Sequence, residues 1–425
     1  MTHHADHGAT SAIGTSVAEH RDRILATIRP LPTVEVPVAE ARDHILAVDV
    51  LAGVDVPSFD NSAMDGYAVR RADVAHATPA EPIVLAVVAD LPAGSAEDPH
   101  LGPGQAARIM TGAPVPSSAD SIVPVEDTDG GTRSVRIDSA PMAAAHIRRA
   151  GSDVSIGRTV LTAGRRLGAR DLAAAAATGA GSLVVHRAPR VGVLSTGSEL
   201  RRAGDALTRG QIHDSNSVLL AAAVVECGGV PVQLGSVADD EELFRATLGR
   251  HAPDVDAFVT SGGVSVGAYD IVKAVLAPLG VWFGPVRMQP GKPQGFGRWP
   301  GHDGAGGADG TPIFALPGNP VSVFVSFEQF VRPALLAMQG RTDWHRDVVR
   351  AVALEGWRSP AGREQYLPAV LERHPDGRLT VRPASAGGSG SHLVASLAGA
   401  NALAVVPESV VEVNAGDLVD VTLVP

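Results

Sequence analysis

One cysteine, Cys227, stands in a chain of 425 residues. A single thiol excludes a disulfide scaffold and a cysteine-rich zinc site, and it fits a reducing, cytoplasmic compartment. No catalytic-cysteine context surrounds Cys227, so it reads as a buried, inert thiol. No apolar run approaches the roughly 20 residues of a membrane span. The N-terminal stretch MTHHADHGATSAIGTS lacks the apolar centre of a signal peptide. Basic residues are in deficit, since 35 Lys plus Arg against 46 Asp plus Glu leave a net charge of −11. Without a Lys/Arg run the chain is not a general nucleic-acid binder, whose affinity would rest on phosphate neutralisation. Small anions held at local sites remain open.

Aromatic residues are scarce, at 4%, so the cores must be built from Ala, Val and Leu. A hydrophobic share of 45% suffices for such cores, and a charged share of 19%, below the roughly 25% of globular chains, excludes wholesale disorder. At about 100–200 residues per domain, the length implies two to four domains. Glycine (47) and proline (31) are plentiful, which implies many turns and backbone brought close to a ligand, as in a loop-rich enzyme.

Residues 1–15, with His3, His4 and His7, read as a frayed tail. Residues 16–29 space their apolar side chains helically and end before Pro30; a second helix is expected over 39–46, followed by a strand-like Ala47–Leu51. Short β runs at 67–69, 83–88, 121–125 and 134–137, separated by Gly/Pro turns, mark residues 57–147 as a small β-rich domain. It is inserted between two flanks, 16–56 and 148–188, that together form a discontinuous linker domain. The second flank carries an Ala-rich helix over 171–178 with Asp171 as its N-cap. Strands starting at Arg190, Pro231, Asp256 and Pro312 then alternate with helices over 217–226, 240–248, 270–279 and 320–338. Such alternation predicts a three-layer α/β domain over 189–340, with a mainly parallel sheet that works at its strand C-terminal ends. Half of residues 301–310 are glycine, so they read as a surface loop. Residues 345–425 read as a C-terminal β domain.

Several Gly-rich segments directly follow the predicted strands: Ser195-Thr-Gly197-Ser-Glu199-Leu, then Ser261-Gly262-Gly263-Val-Ser-Val-Gly-Ala-Tyr-Asp270, then Leu316-Pro317-Gly318-Asn319-Pro-Val-Ser322. Glycine there lets backbone N–H groups approach a ligand, and the following helix presents its positive end; three such turns at one sheet edge predict an anion cradle. Glu199, Asp239 and Asp270 sit among these turns. Carboxylates beside phosphate point to a bridging hard cation such as Mg²⁺, with helix capping as the alternative for Asp270 and plain surface exposure for Asp239. Lys292, on the stiff loop Gln289-Pro-Gly-Lys-Pro-Gln294, suits a phosphate or oxyanion. In the β-rich part, Asp65 precedes a glycine in SAMDGYA (62–68), Thr111 precedes another in IMTGAP (109–114), and Asp153 lies on a Gly turn in RRAGSD (148–153). None is decisive by spacing alone, and as an isolated polar turn each reads as structural.

Taken in order, SAMDGYA, IMTGAP, RRAGSD, STGSEL, SGGVSVGAYD, QPGKP and LPGNPVS resemble the molybdopterin molybdenumtransferases, the family of MoeA and the gephyrin E-domain, from about residue 16 to the end. The resemblance implies a four-part chain with a barrel-like C-terminal β domain. It also implies the last step of molybdenum cofactor synthesis, in which molybdate is inserted into adenylylated molybdopterin with Mg²⁺-dependent release of AMP. By position it implies catalytic roles for Glu199, Asp65, Thr111 and Asp153, and Mg²⁺ ligation by Glu199 and Asp270. Substrate binding falls to Gly197, Ser261, Gly262, Gly263, Asp239, Asp270, Lys292, Pro317, Gly318, Asn319, Arg363 and Ser391, with Ser389 nearly matching Ser391. It implies a homodimer whose active site is shared between subunits, transient contact with other cofactor-synthesis proteins, and no nucleic-acid or membrane partner. Where some members carry a second lysine before Pro-Gly, this chain has Gln289, and Arg287 is a candidate to restore the charge. Two further readings are molybdopterin adenylylation, from the shared α/β domain type, and a non-catalytic scaffold of the gephyrin kind.

Overall fold

The computed structural model describes residues 14–264, 270–300, 310–385 and 394–424. The chain divides into two compact units, one running from Glu35 to Val185 and the other formed by the residues up to Val34 with His186 to Pro425.

The 35–185 unit is built on a five-stranded sheet in the order Ser121–Pro124, Gly66–Val69, Gln105–Ile109, Ile83–Leu91, Ser134–Ile137. Its pairings are antiparallel except that between Ile83–Leu91 and Gln105–Ile109. Tyr67, Leu85, Val123 and Ile137 are buried in one cluster, and Ala68, Leu91, Ile109 and Ile122 in another. A Cβ on Gly66 would collide with the Val123 carbonyl oxygen, so this pairing requires the glycine that follows Asp65. Two local expectations are corrected. The helix expected over 39–46 is a single 3₁₀ turn, Val38–Glu40, because Asp43 adopts a positive φ of 67° that ends any helical run. The Ala-rich helix runs Ala169–Ala177, and Asp171 lies inside its first turn, where its carboxylate accepts the Gly168 N–H at 2.8 Å rather than serving as N-cap.

In the other unit, four parallel strands come in the order Val230–Val237, Arg190–Thr196, Ala257–Ser261, Thr311–Leu316. Pro293–Trp299 and Trp282–Pro285 then extend the sheet antiparallel. Helices Asn216–Glu226, Glu241–His251 and Ile271–Leu276 connect the parallel strands, and two large apolar clusters pack around the sheet. The helix Val17–Leu25, expected in the linker part, instead buries Val17 and Ile24 in the same cluster as Val191 and Val193 of the sheet. Its start is fixed by a capping box, with the Ser16 N–H on the Glu19 carboxylate at 2.8 Å and the Glu19 N–H on Ser16 Oγ at 3.2 Å. The segment Pro320–Met338, with a π-helical stretch at Phe327–Val331, is long and apolar enough to cross a membrane, contrary to the sequence expectation. Val321, Val325, Phe330 and Leu335 are buried in the same cluster, which makes it a core helix.

Five C-terminal strands close into a barrel, in the order Glu364–Arg373, Leu379–Pro383, Val348–Ala353, Leu418–Leu423, Ala402–Val406, and back to Glu364–Arg373. Small side chains fill it, among them Ala351, Ala369, Val381, Ala404 and Val421. Met288–Gln289 adds to one barrel strand in parallel, opposite Glu364–Gln365, and so docks the Lys292 loop against the barrel.

Candidate active site

Parallel pairing aligns three strand ends: Ser195 lies in register with Ser261, and Ser261 with Leu316. The three Gly-rich turns therefore leave the sheet at one edge, where they wall a cavity of about 880 Å³. Gly197 and Glu199 line it from the first turn, Ser261, Gly262, Gly263 and Asp270 from the second, and Pro317, Gly318 and Asn319 from the third. Asp239 and Lys292 complete the set expected there.

Glycine is needed at two of these positions. Gly262 has φ +94°, and a Cβ on it would stand 2.7 Å from the Thr196 carbonyl oxygen. Gly263 has φ +65°, and its Cβ would stand 2.7 Å from a methyl of Val272. Over Gly197 the Glu199 carboxylate folds back, taking the space a Cβ would fill. Asp239 is tied to the same turn, since Ser198 donates to its Oδ2 through N–H at 3.2 Å and through Oγ at 2.8 Å. Asn319 takes an extended conformation at the N-cap position of the helix that begins at Pro320.

The Lys292 loop is held from behind, with Gln294 Nε2 donating to the Gly291 carbonyl and to Ser326 Oγ, both at 2.7 Å. Gln289 lines the cavity, and its Oε1 accepts from the Arg363 guanidinium at 3.1 Å. Arg363 thus reaches the cavity wall through Gln289. Arg287 does not restore charge there, because its guanidinium is engaged by Glu408 at 2.9 Å and by the Gly14 carbonyl. Ser389, Ser391 and residues 265–269 of the second turn lie outside the described residues, as do the tail histidines and residues 301–309.

Sequence reasoning missed Asp214 and Asn216, which also line the cavity. Asp214 Oδ1 accepts the Ser195 hydroxyl and the Ser217 N–H, both at 3.0 Å, and its Oδ2 accepts the Ser217 hydroxyl. Buried Ser195 is also 2.8 Å from Ser217 Oγ and 3.1 Å from Ser261 Oγ, which makes it the centre of a hydroxyl cluster beneath the cavity. Asn216 Nδ2 donates to the Gly318 carbonyl at 2.7 Å and so joins the third turn to the start of a helix. The available signal was Asp-Ser-Asn-Ser immediately before an apolar run, a helix-start pattern rich in oxygen ligands.

In the 35–185 unit, Asp65 and Thr111 come together. Thr111 donates to Asp65 Oδ1 through its N–H at 2.7 Å and its hydroxyl at 2.8 Å, and these two bonds, the backbone one first, hold the Asp65 carboxyl below its usual range. Asp153 is exposed in a separate turn, its N–H on the Val56 carbonyl at 3.0 Å, and shares no hydrogen bond with that pair among the described residues. None of the three lines the cavity.

Asp214, Glu199, Asp239 and Asp270 surround the cavity with one ammonium, Lys292. Among the described residues no cluster of three His, Cys, Asp or Glu forms a complete metal cage. A Mg²⁺ that also takes substrate phosphates needs one or two carboxylates, so the donor set fits that ion and not a stand-alone structural metal.

Models of three families match the chain in succession: "MoeA N-terminal region (domain I and II)" over 15–179, "Probable molybdopterin binding domain" over 192–337, and "MoeA C-terminal region (domain IV)" over 350–424. A relative named molybdopterin molybdenumtransferase 2, from Mycobacterium tuberculosis, is 46% identical over 94% of this chain and 97% of its own length. The chain belongs to the MoeA family. Another member, molybdopterin molybdenumtransferase 1 of the same organism, is 37% identical over 96% of this chain and 98% of its own. Among solved structures, the molybdopterin biosynthesis MoeA protein of Pyrococcus horikoshii superposes with a TM-score of 0.82 at 32% identity, covering 96% of this chain and 99% of that one. The multidomain α/β architecture with a C-terminal barrel is therefore the MoeA fold.

Proposed function

We propose that this MoeA-family chain is a molybdopterin molybdenumtransferase that takes adenylylated molybdopterin and molybdate and releases AMP and molybdenum cofactor. The observation that carries the reading is the convergence on one cavity of three Gly-rich strand ends, four carboxylates and Lys292. The glycine turns offer backbone N–H groups to a polyanionic substrate without side chains in the way, and Lys292 supplies a positive charge to its phosphates or to the oxyanion. Left alone, four carboxylates would repel such a substrate. Glu199 and Asp270 are read as ligands of a Mg²⁺ that neutralises the pyrophosphate and stabilises charge on its leaving oxygen. Chemistry at phosphorus then depends on positioning, which the Ser195 cluster serves by fixing Asp214 and the Ser198 bonds by fixing Asp239. Arg363, turned to the wall by Gln289, is read as an oxyanion contact together with Lys292.

Asp65, Thr111 and Asp153 are read as the contribution of a second copy of the chain, in a homodimer with shared active sites. In support, Asp65 is exposed, ionised and already oriented by Thr111, while the cavity draws its lining from the other unit. Brief contact with other cofactor-synthesis proteins, to receive substrate and hand on product, belongs to the same reading, as does a cytoplasmic setting.

Reconstitution with adenylylated molybdopterin, Mg²⁺ and molybdate tests it: AMP should appear when all three are present and not when any one is withheld. Glu199→Ala should abolish AMP release while the substrate still binds. Wild-type turnover in that variant removes Glu199 from the mechanism, and net adenylylation of molybdopterin from ATP without molybdate replaces the proposal with the preceding reaction.

A further inference from the structure

The loop that carries Gln289 and Lys292 leaves the sheet and returns to it, since Pro285 and Pro293 at its two ends are paired in antiparallel register. Its neck is closed by the Val286 N–H, which donates to the Lys292 carbonyl at 2.7 Å. Its tip, Met288–Gln289, runs along the barrel strand at Glu364–Gln365. Arg287 stands between neck and tip and does not line the cavity. Its N–H donates to the Thr15 carbonyl at 2.8 Å, and its carbonyl accepts the Glu364 N–H at 3.0 Å. Its guanidinium donates through Nε to Glu408 Oε2 at 2.9 Å and through Nη1 to the Gly14 carbonyl. Glu408 continues this chain of contacts. Its own carbonyl accepts the Gly362 N–H at 3.0 Å, and the next residue, Arg363, donates to Gln289 Oε1 at 3.1 Å. Arg287, Glu408, Gly362–Arg363 and Gln289 therefore form a ring that closes through Met288.

The ring ties the turn that aims Arg363 to the loop that carries Lys292. Both members of the Arg287–Glu408 pair are partly exposed, a setting in which an ion pair adds little to stability. What the pair supplies is direction, because a planar guanidinium bonded through two of its nitrogens is fixed in orientation. Backbone bonds keep the loop on the barrel strand whatever side chain stands at 287, so removing the guanidinium opens the ring without releasing the loop. We propose that Arg287 and Glu408 are a positioning pair, which touches no substrate and sets Arg363 and the Lys292 loop in place at the cavity wall. The proposal rests on the transferase reading, in which Arg363 and Lys292 meet the oxyanion. A small displacement of such groups costs rate or affinity out of proportion to the stability lost.

Kinetics of AMP release by the full chain test it. Arg287→Met and Glu408→Gln should each raise the KM for molybdate about fivefold, the scale of one partly exposed charged hydrogen bond, with kcat close to that of the wild type. The double variant should be no worse than the weaker single one, because either change opens the same ring. Arg287→Lys should recover part of the loss, since a single ammonium does not reproduce a fork shared between Glu408 and the Gly14 carbonyl. Equilibrium dialysis with molybdate alone should show the same order of affinities without turnover. A KM for molybdate equal to that of the wild type in both single variants overturns the pair and leaves the transferase reading standing. So does a fall in kcat and in the urea midpoint with KM unchanged, which marks a merely structural bond, or a double variant whose two effects multiply. A wild type that releases no AMP overturns the transferase reading; dialysis then decides the pair by itself, and absence of bound molybdate in the wild type overturns it too.

Discussion

Gly262 and Gly318 both line the cavity and lie next to each other, yet alanine should be costly at the first and nearly neutral at the second. At Gly262 the backbone has φ +94°, which costs an L-residue about 1–2 kcal/mol. The added methyl would also stand 2.7 Å from the Thr196 carbonyl oxygen and 2.9 Å from its hydroxyl. That carbonyl is backbone at the end of a sheet strand, so relief requires the strand end to move, an overpacking cost of about 1–3 kcal/mol. The sum is about 2–5 kcal/mol, and the displaced part is the turn that carries Gly197 and Glu199. At Gly318 a methyl would meet the Gly262 Cα at 3.5 Å, an ordinary contact, and Gly318→Ala should stay within about 0.5 kcal/mol of wild type. All four tryptophans, at 282, 299, 344 and 357, lie in the unit that holds the cavity, so urea unfolding followed by tryptophan fluorescence reports on that unit. Gly262→Ala should also lower kcat/KM for AMP release by tenfold or more, one decade per roughly 1.4 kcal/mol of transition-state stabilisation lost. Equal destabilisation by the two variants, or a Gly262→Ala protein as stable as wild type, refutes the steric argument.

The contrast also shows what the sequence could and could not reveal. The four parallel strands were legible because each is a short apolar run followed by a turn signal, and the cavity because three such turns carry glycine at the strand end. The two antiparallel strands were hidden by their own packing requirement. Gly295 and Gly297 are needed because a Cβ on either would strike Phe283 or Val281, yet in sequence they interrupt the apolar run, and no strand is expected over Pro293–Trp299. Gln105–Ile109 was hidden by its alanines, which carry little strand preference until neighbouring strands bury them. The Ser195–Asp214–Ser261 cluster and the Arg363–Gln289 bond join residues 19 to 74 positions apart, so no local pattern announces them. The placement of Val17–Leu25 was missed for the same reason, since an amphipathic helix shows that it has a buried face but not which core receives it.

Thr111→Val removes the hydroxyl bond to Asp65 and keeps the N–H bond, so the carboxyl should move only part of the way back toward its ordinary range and begin to protonate at a higher pH than in wild type; an unchanged carbon-13 titration of Asp65 contradicts that geometry. Acid should weaken the fold through a buried imidazole. His20 is buried with ring centroids 4.8 Å from Trp282 and 4.7 Å from Phe330, and its Nδ1 has no partner among the described residues. Burial, with the Arg23 charge adding to it, pushes the imidazole down to about 3 from an ordinary 6.5. Between those values the unfolded chain binds a proton that the folded chain refuses, so this group's contribution is full above pH 6.5 and is lost progressively as pH falls toward 3. At about 1.4 kcal/mol per pH unit, the loss by pH 5 is about 2 kcal/mol. His20→Leu keeps an apolar side chain in the aromatic slot and has no proton to bind, so its stability relative to wild type should rise by that amount between pH 7 and pH 5. A difference that stays constant across this interval means that the imidazole is not held neutral by its burial.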